Sequence, residues 1–324
     1  MDHAAAQTAA NLAGRLDDPG GPPGPEDPFS VRLRRRMEAL DTRVCLGIDP
    51  RPERYPDTDP SAHGGDAAKV ARAVTERFRA ILEATAELVA CVKLQSAFFE
   101  RWGVPGQIAL AQLLADARTL GVPAILDAKR GDVGSTAEAY ADAYLGSGPF
   151  GADALTVQPY LGMDAIEPFV GAAERNGRGA FVLVRTSNAG GADLQDLRLA
   201  DDATGAVTVA DRLADLLTER ARDTVLDAHG YGPIGAVVGA TVPGALARFR
   251  ERLPHAILLV PGYGAQGGGA DAVRAAFDAD GYGAVISASR SLTDTGADDP
   301  VAGAVRATET MRDAVRSVLD ADRG

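Results

Sequence analysis

One pattern constrains the fold of this chain more than any other. From residue 43 onward, short apolar runs alternate with helical stretches across Gly, Pro or polar junctions. The runs fall at 43–48, 88–94, 122–128, 154–158, 180–184, 234–238, 256–260 and 284–287. The helical stretches fall at 66–86, 105–120, 136–145, 164–176, 207–228, 242–252, 270–279 and 301–319. Apolar runs this short read as buried strands, and strands alternating with helices pair in parallel through right-handed crossovers. Eight such units closing on themselves make a (β/α)8 barrel, the TIM barrel. An open doubly wound sheet is the alternative, but no G-x-G-x-x-G follows the first run.

A chain of 324 residues suits one barrel, assigned to 29–324. Residues 1–28 are Ala-rich, then Gly/Pro-rich (DDPGGPPGPEDP), and show no sustained period. They read as a disordered, mobile tail. Ser30 is expected to cap a short helix ending at Leu40, whose RLRRR run reads as a solvated face.

Hydrophobic residues make up 46% of the chain, and its formal net charge is −12. That charge argues against nucleic acid or an anionic membrane as the main partner. An anionic ligand would have to be held by local positive groups. Cys45 and Cys91 lie in apolar runs and are expected to be buried, inert thiols. His3, His63, His229 and His255 show no metal-ligand spacing and none falls on the expected active rim. No apolar run reaches membrane-spanning length, and no basic region leads into an apolar stretch at the N-terminus. A cytoplasmic protein is expected.

Polar residues gather where the strands should end: Asp49, Lys93, Asp127 with Lys129, Gln158, Ser187 with Asn188, Gln266 and Arg290. In barrels that rim is where active sites are built. The densest cluster is LDAKRGD (126–132). Residues two apart on a strand share a face, so Asp127 and Lys129 should project together, with Asp132 in the loop beyond. A carboxylate beside an ammonium favours the charged form of both. Lys129 therefore suits a proton donor better than an amine nucleophile.

PGYGAQGGG (261–269) follows the seventh run, and ISASRSL (286–292) contains the eighth. Loops after those two strands are a frequent phosphate cradle. Glycines let backbone N–H groups approach an anion, Gln266 can donate from its amide, and Arg290 offers a forked cation. Ser187 and Asn188 could hydrogen-bond a planar heterocycle, and Tyr160 and Tyr263 could stack on a ligand.

CLGIDP (45–50), VKLQSAFFE (92–100), LDAKRGDVGSTAEAYA (126–141), VPGYGAQGG (260–268) and SASRS (287–291) together resemble orotidine 5′-phosphate decarboxylase in its longer bacterial form. The resemblance runs from about Phe29 to the end. It implies a homodimeric barrel that converts orotidine 5′-monophosphate to uridine 5′-monophosphate and CO2, the last step of de novo UMP biosynthesis, with no metal or organic cofactor. It further implies that Lys129 protonates C6 of a vinyl carbanion and that Asp127 faces the substrate carboxylate. Asp132 would reach into the partner subunit's site with Thr136 beside it. Asp49 and Lys93 would contact the ribose, Ser187 the pyrimidine, and Gln266 and Arg290 the phosphate. The chain departs from compact family members in its Arg130–Gly131 pair and in a longer segment at 189–205. Two alternatives stay open. One is a magnesium-dependent sugar-phosphate decarboxylase or aldolase on the same scaffold, and the other is a non-catalytic nucleotide-binding scaffold.

Overall fold

The structure of the chain, a computed structural model, describes residues 27–200, 207–242, 244–263 and 270–321. Eight strands close into one barrel in sequence order. They are β1 (Val44–Ile48), β2 (Cys91–Gln95), β3 (Ala124–Arg130), β4 (Ala154–Val157), β5 (Gly179–Arg185), β6 (Ile234–Val238), β7 (Ile257–Pro261) and β8 (Ala284–Ala288). Every pairing is parallel, and β1 meets β8 with Val44 opposite Ile286. The longer helices are α1 (Phe29–Leu40), α2 (Ala67–Thr85), α3 (Gly103–Thr119), α4 (Gly134–Leu145), α5 (Met163–Asn176), α6 (Val209–Ala221), α7 (Ala245–Arg252) and α8 (Pro300–Asp320). The barrel expected from the alternating pattern is the barrel observed.

Local chemistry sets several helix starts. The Asp66 carboxylate accepts the Ala68 and Lys69 N–H groups ahead of α2, and Asp299 does the same for Val301 and Ala302 ahead of α8. Thr208 and Asp211 form a reciprocal capping box on α6. That helix stops at Ala221 rather than 228, because residues beyond it turn around the Asp227 carboxylate, which accepts the His229 and Tyr231 N–H groups. The stretch expected as a helix over 270–279 is helical only at Ala270–Val273, followed by a 3-10 turn to Ala276.

Strand side chains alternate between two cores, as a period of two requires. Val44, Leu46, Val92, Leu94 and Leu126 point outward and pack under Val70, Phe78, Leu110 and Leu113 of the helices. Cys45, Cys91, Ile125, Ala154, Phe181, Ile257 and Val285 point inward and fill the barrel. Gly235 is small because a Cβ there would collide with the Phe181 ring. Both cysteines are buried, and burial pushes the Cys91 thiol upward.

Helix α1 closes the N-terminal end of the barrel. Phe29, Leu33 and Met37 join the inward core, and Phe29 meets Phe181 edge-on at 5.9 Å. Burying each such side chain contributes about 1.5–3 kcal/mol. The helix starts two residues earlier than expected: its N-cap is Pro28, and Ser30 is buried inside it without a capping role. Nor are its arginines a solvated face. Arg32 pairs with Asp153 at 2.7 Å, Arg35 with Asp27 at 2.9 Å, and Arg34 lies 3.3 Å over the Tyr282 ring. Arg36 donates to the Val89 carbonyl at 3.0 Å. Sequence alone could not tell charges facing water from charges facing loop carbonyls. The tail expected over 1–28 lies outside the described residues except for Asp27 and Pro28, and Asp27 is buried.

Candidate active site

Two residues further along the strands, the inward row turns polar. Lys93 follows Cys91, Asp127 follows Ile125, Thr156 follows Ala154 and Ser287 follows Val285. All four line a cavity of about 340 Å³ at the C-terminal end of the barrel. Asp49, Arg51, Gln95, Lys129, Ser187, Asn188, Tyr263 and Arg290 also line it.

Asp127 is its centre. Lys93 Nζ donates to Oδ2 at 3.0 Å and Gln95 Nε2 donates to the same oxygen at 2.8 Å. Lys129 Nζ reaches Oδ1 at 2.6 Å, and the Thr156 hydroxyl donates to it at 2.9 Å. Burial opposes the charge on Asp127, but the two ammonium groups outweigh it and hold the carboxyl below the usual range. Burial likewise opposes the charge on Lys93, and Asp127 and Asp49 outweigh it, holding Lys93 above its ordinary value. Asp49 Oδ1 stands 3.7 Å from Lys93 Nζ and accepts no hydrogen bond. An unpaired buried acceptor at a cavity wall is suited to a ligand hydroxyl.

Asp127 and Lys129 meet as expected, though not through simple strand alternation. Asp127 is buried, whereas the Lys129 side chain is 45% exposed and its backbone has φ of 49°. The β3–β4 ladder shifts register between Leu126 and Arg130. A bulge of this kind re-aims a side chain, and here it turns the lysine over the cavity.

Of the other expected residues, Asp49, Lys93, Ser187 and Arg290 share this cavity, with Asn188 and Tyr263. Asp132 and Thr136 do not line it. They stand in the loop after β3 and the first turn of α4, where Thr136 is exposed and Asp132 accepts the Val133 N–H at 2.8 Å. Gln266 lies outside the described residues. Tyr160 is 77% exposed and Gln158 falls beyond β4, so neither lines the cavity. None of His63, His229 and His255 lines it either.

Sequence reasoning missed Arg51, Gln95 and Thr156. A strict period of two from Cys91 and Ala154 finds the last two. Arg51 gave no such signal; its guanidinium lies 5.0 Å over Phe98. Among the described residues, neither Arg51 nor Arg290 forms an ion pair. Gln195 and Asp196 brace the Ser187 turn from outside: Arg185 holds Asp196 through two bonds of 2.8 Å, and Gln195 accepts the Thr186 N–H at 2.9 Å. Gly47 lets the loop after β8 close in, since a Cβ there would collide with Ser289.

Four cationic side chains, Arg51, Lys93, Lys129 and Arg290, thus face two carboxylates, Asp49 and Asp127. That local positive excess in a chain of net charge −12 answers the requirement that an anion be held locally. The fold and site define a (β/α)8 barrel enzyme with a cationic mouth for a small anionic substrate. The family described as orotidine 5′-phosphate decarboxylase / HUMPS matches residues 42–307, and the chain belongs to it. Orotidine 5′-phosphate decarboxylase of Rhodopirellula baltica is 48% identical over 270 residues, 82% of this chain and 87% of that protein. The enzyme of the same name from Deinococcus radiodurans is 44% identical over 264 residues, 82% of this chain and 88% of that protein. The structure of Leishmania donovani OMP decarboxylase superposes with a TM-score of 0.71 at 32% identity, over 90% of this chain and 99% of that one. Among the described residues no helix is long and apolar enough to cross a membrane.

Proposed function

We propose that the chain is a carboxy-lyase that converts orotidine 5′-monophosphate to uridine 5′-monophosphate and CO2, with Lys129 as the acid. The observation that carries this reading is the Asp127 carboxylate held between two ammonium groups, at 2.6 and 3.0 Å, within a cavity that also contains Arg290. The bond from C6 to the carboxylate carbon breaks, CO2 leaves, and the electron pair stays on C6. The Lys129 ammonium stabilises that charge electrostatically and delivers its proton to C6, and the resulting amine is reprotonated from water. Asp127 positions Lys129 and faces the departing carboxylate. Grip on the phosphate and ribose provides the binding energy that presses the two carboxylates together. Asp49 and Lys93 take the ribose, Ser187 the pyrimidine, and Arg290 with Gln266 the phosphate.

We assign Asp132 and Thr136 to the active site of a partner subunit in a homodimer, because both stand outside their own chain's cavity. The protein works in the cytoplasm, with a nucleotide as its small-molecule substrate. A magnesium-dependent reaction on this scaffold is disfavoured by the donor set, since both Asp127 oxygens already accept two hydrogen bonds each. Absorbance loss on adding orotidine 5′-monophosphate in EDTA is the expected result. Turnover only with added magnesium, or binding without turnover, overturns the reading. Mixing inactive Asp127→Ala and Asp132→Ala chains is expected to restore part of the activity. No recovery from demonstrated heterodimers removes the shared site.

A further inference from the structure

Thr156 on β4 has no part in the chemistry just described, yet it sits where the catalytic geometry is decided. At the bulge, Leu126 lies opposite Leu155 and Arg130 opposite Val157, so β3 advances four residues against two on β4. Lys129 falls inside that mismatch in a left-handed conformation, φ 49°, which is unfavourable for any residue carrying a β-carbon. Its N–H donates not to a ladder carbonyl but to Thr156 Oγ1, at 2.9 Å. The single proton of that hydroxyl donates onward to Asp127 Oδ1 at 2.9 Å, the same oxygen that Lys129 Nζ meets at 2.6 Å. A closed loop results, running from the lysine backbone through the hydroxyl to the carboxylate and back to the lysine ammonium. Thr156 is 1% exposed, so bulk solvent does not compete with either bond in the intact site.

We propose that Thr156 is a positioning residue for the reaction. Its hydroxyl fixes the backbone of Lys129 and the carboxylate of Asp127 relative to one another, and so fixes where the ammonium stands over the reacting carbon. The inference rests on the reading of Lys129 as the acid. Because the hydroxyl acts on proton delivery and on no substrate group, its loss falls on kcat and leaves KM nearly unchanged.

The test compares Thr156→Val, Thr156→Ser and Lys129→Ala in steady-state kinetics, with the fraction of folded sites counted by UMP binding. Valine keeps the volume and removes both bonds, whereas serine keeps the hydroxyl. Thr156→Val is expected to lower kcat about 10- to 100-fold with KM within about threefold, the scale of a small misplacement of a reacting group. Thr156→Ser is expected to keep kcat within about threefold. Equal losses in the valine and serine variants overturn the inference, as does a loss confined to KM. Wild-type kcat in Thr156→Val with an inactive Lys129→Ala removes the role of Thr156 and leaves the acid standing. A near-normal rate in Lys129→Ala removes the acid assignment and this inference with it.

Discussion

The two ends of this barrel share eight strands and the same inward-pointing rows, and differ in what those rows carry. At the N-terminal end Cys45, Cys91, Ile125, Phe181 and Val285 interlock beneath Phe29, Leu33 and Met37 of α1. At the C-terminal end, one inward step along, Lys93, Asp127, Thr156 and Ser287 surround a cavity. Charges occur at both ends. Those of α1 are spent on neighbours, Arg32 on Asp153 and Arg36 on loop carbonyls. Those at the mouth include Arg51 and Arg290, which among the described residues have no counter-ion. Buried ions are held in a definite geometry only where their surroundings cannot relax. The packed end supplies that rigidity, and the polar end places its charges on it.

That contrast predicts which variants lose chemistry and which lose stability. Lys129→Ala should show the largest effect, with kcat/KM falling about 10⁴-fold through loss of a general acid and its electrostatic contribution. Its melting temperature should barely move, because the side chain is 45% exposed. Unfolding of that variant at clearly lower denaturant concentrations than wild type would break the separation. Asp127→Asn should come next, destabilising by about 4 kcal/mol at neutral pH by leaving two ammonium groups without their carboxylate.

The pH dependence of that effect sharpens the test. The carboxyl is held below its ordinary value in the fold, so its stabilisation is present above about pH 3.9 and lost as pH falls further. Lys93 is held above its ordinary value, so its stabilisation is present below about pH 10.4 and lost as pH rises through the folded value. Thermal melts should show the gap between wild type and Asp127→Asn closing below about pH 4. A gap unchanged at pH 3 would mean that the pair does not stabilise the fold.

At the opposite end, Leu33→Ala should cost about 3 kcal/mol in denaturant unfolding and leave the KM of folded enzyme unchanged. A raised KM would show that the two ends are not independent. The smallest effect is expected from Arg34→Ala, which removes the contact over Tyr282 and the Glu38 pair. Its cost should be about 1 kcal/mol in the same melts, with kcat/KM untouched.

Much of the fold was legible because burial imposes periods on the chain. Strands buried on both faces had to be short apolar runs, and helices between them had to carry one apolar face. Charged residues gathered at the strand ends, and that pattern alone pointed to Asp49, Lys93, Asp127, Lys129 and Arg290. Helix ends were less legible: α6 stops where Asp227 folds the chain back, a contact that no periodicity announces. Thr156 was overlooked because a threonine in an apolar run reads as one more strand residue. Its function comes from facing Lys129 across a register shift. The arginines of α1 were misread for a related reason, since their partners lie on loops distant in sequence.

The order of elements, the polar end of the barrel and the identity of the charges around Asp127 were determined by the sequence alone, because alternation and strand polarity act locally. The tertiary structure decided which of those charges meet. It set the left-handed turn at Lys129, the hydroxyl that supports it and the plug of α1 beneath them. Each depends on the closure of β1 against β8 and on the register of β3 against β4, where residues remote in the chain are forced into contact.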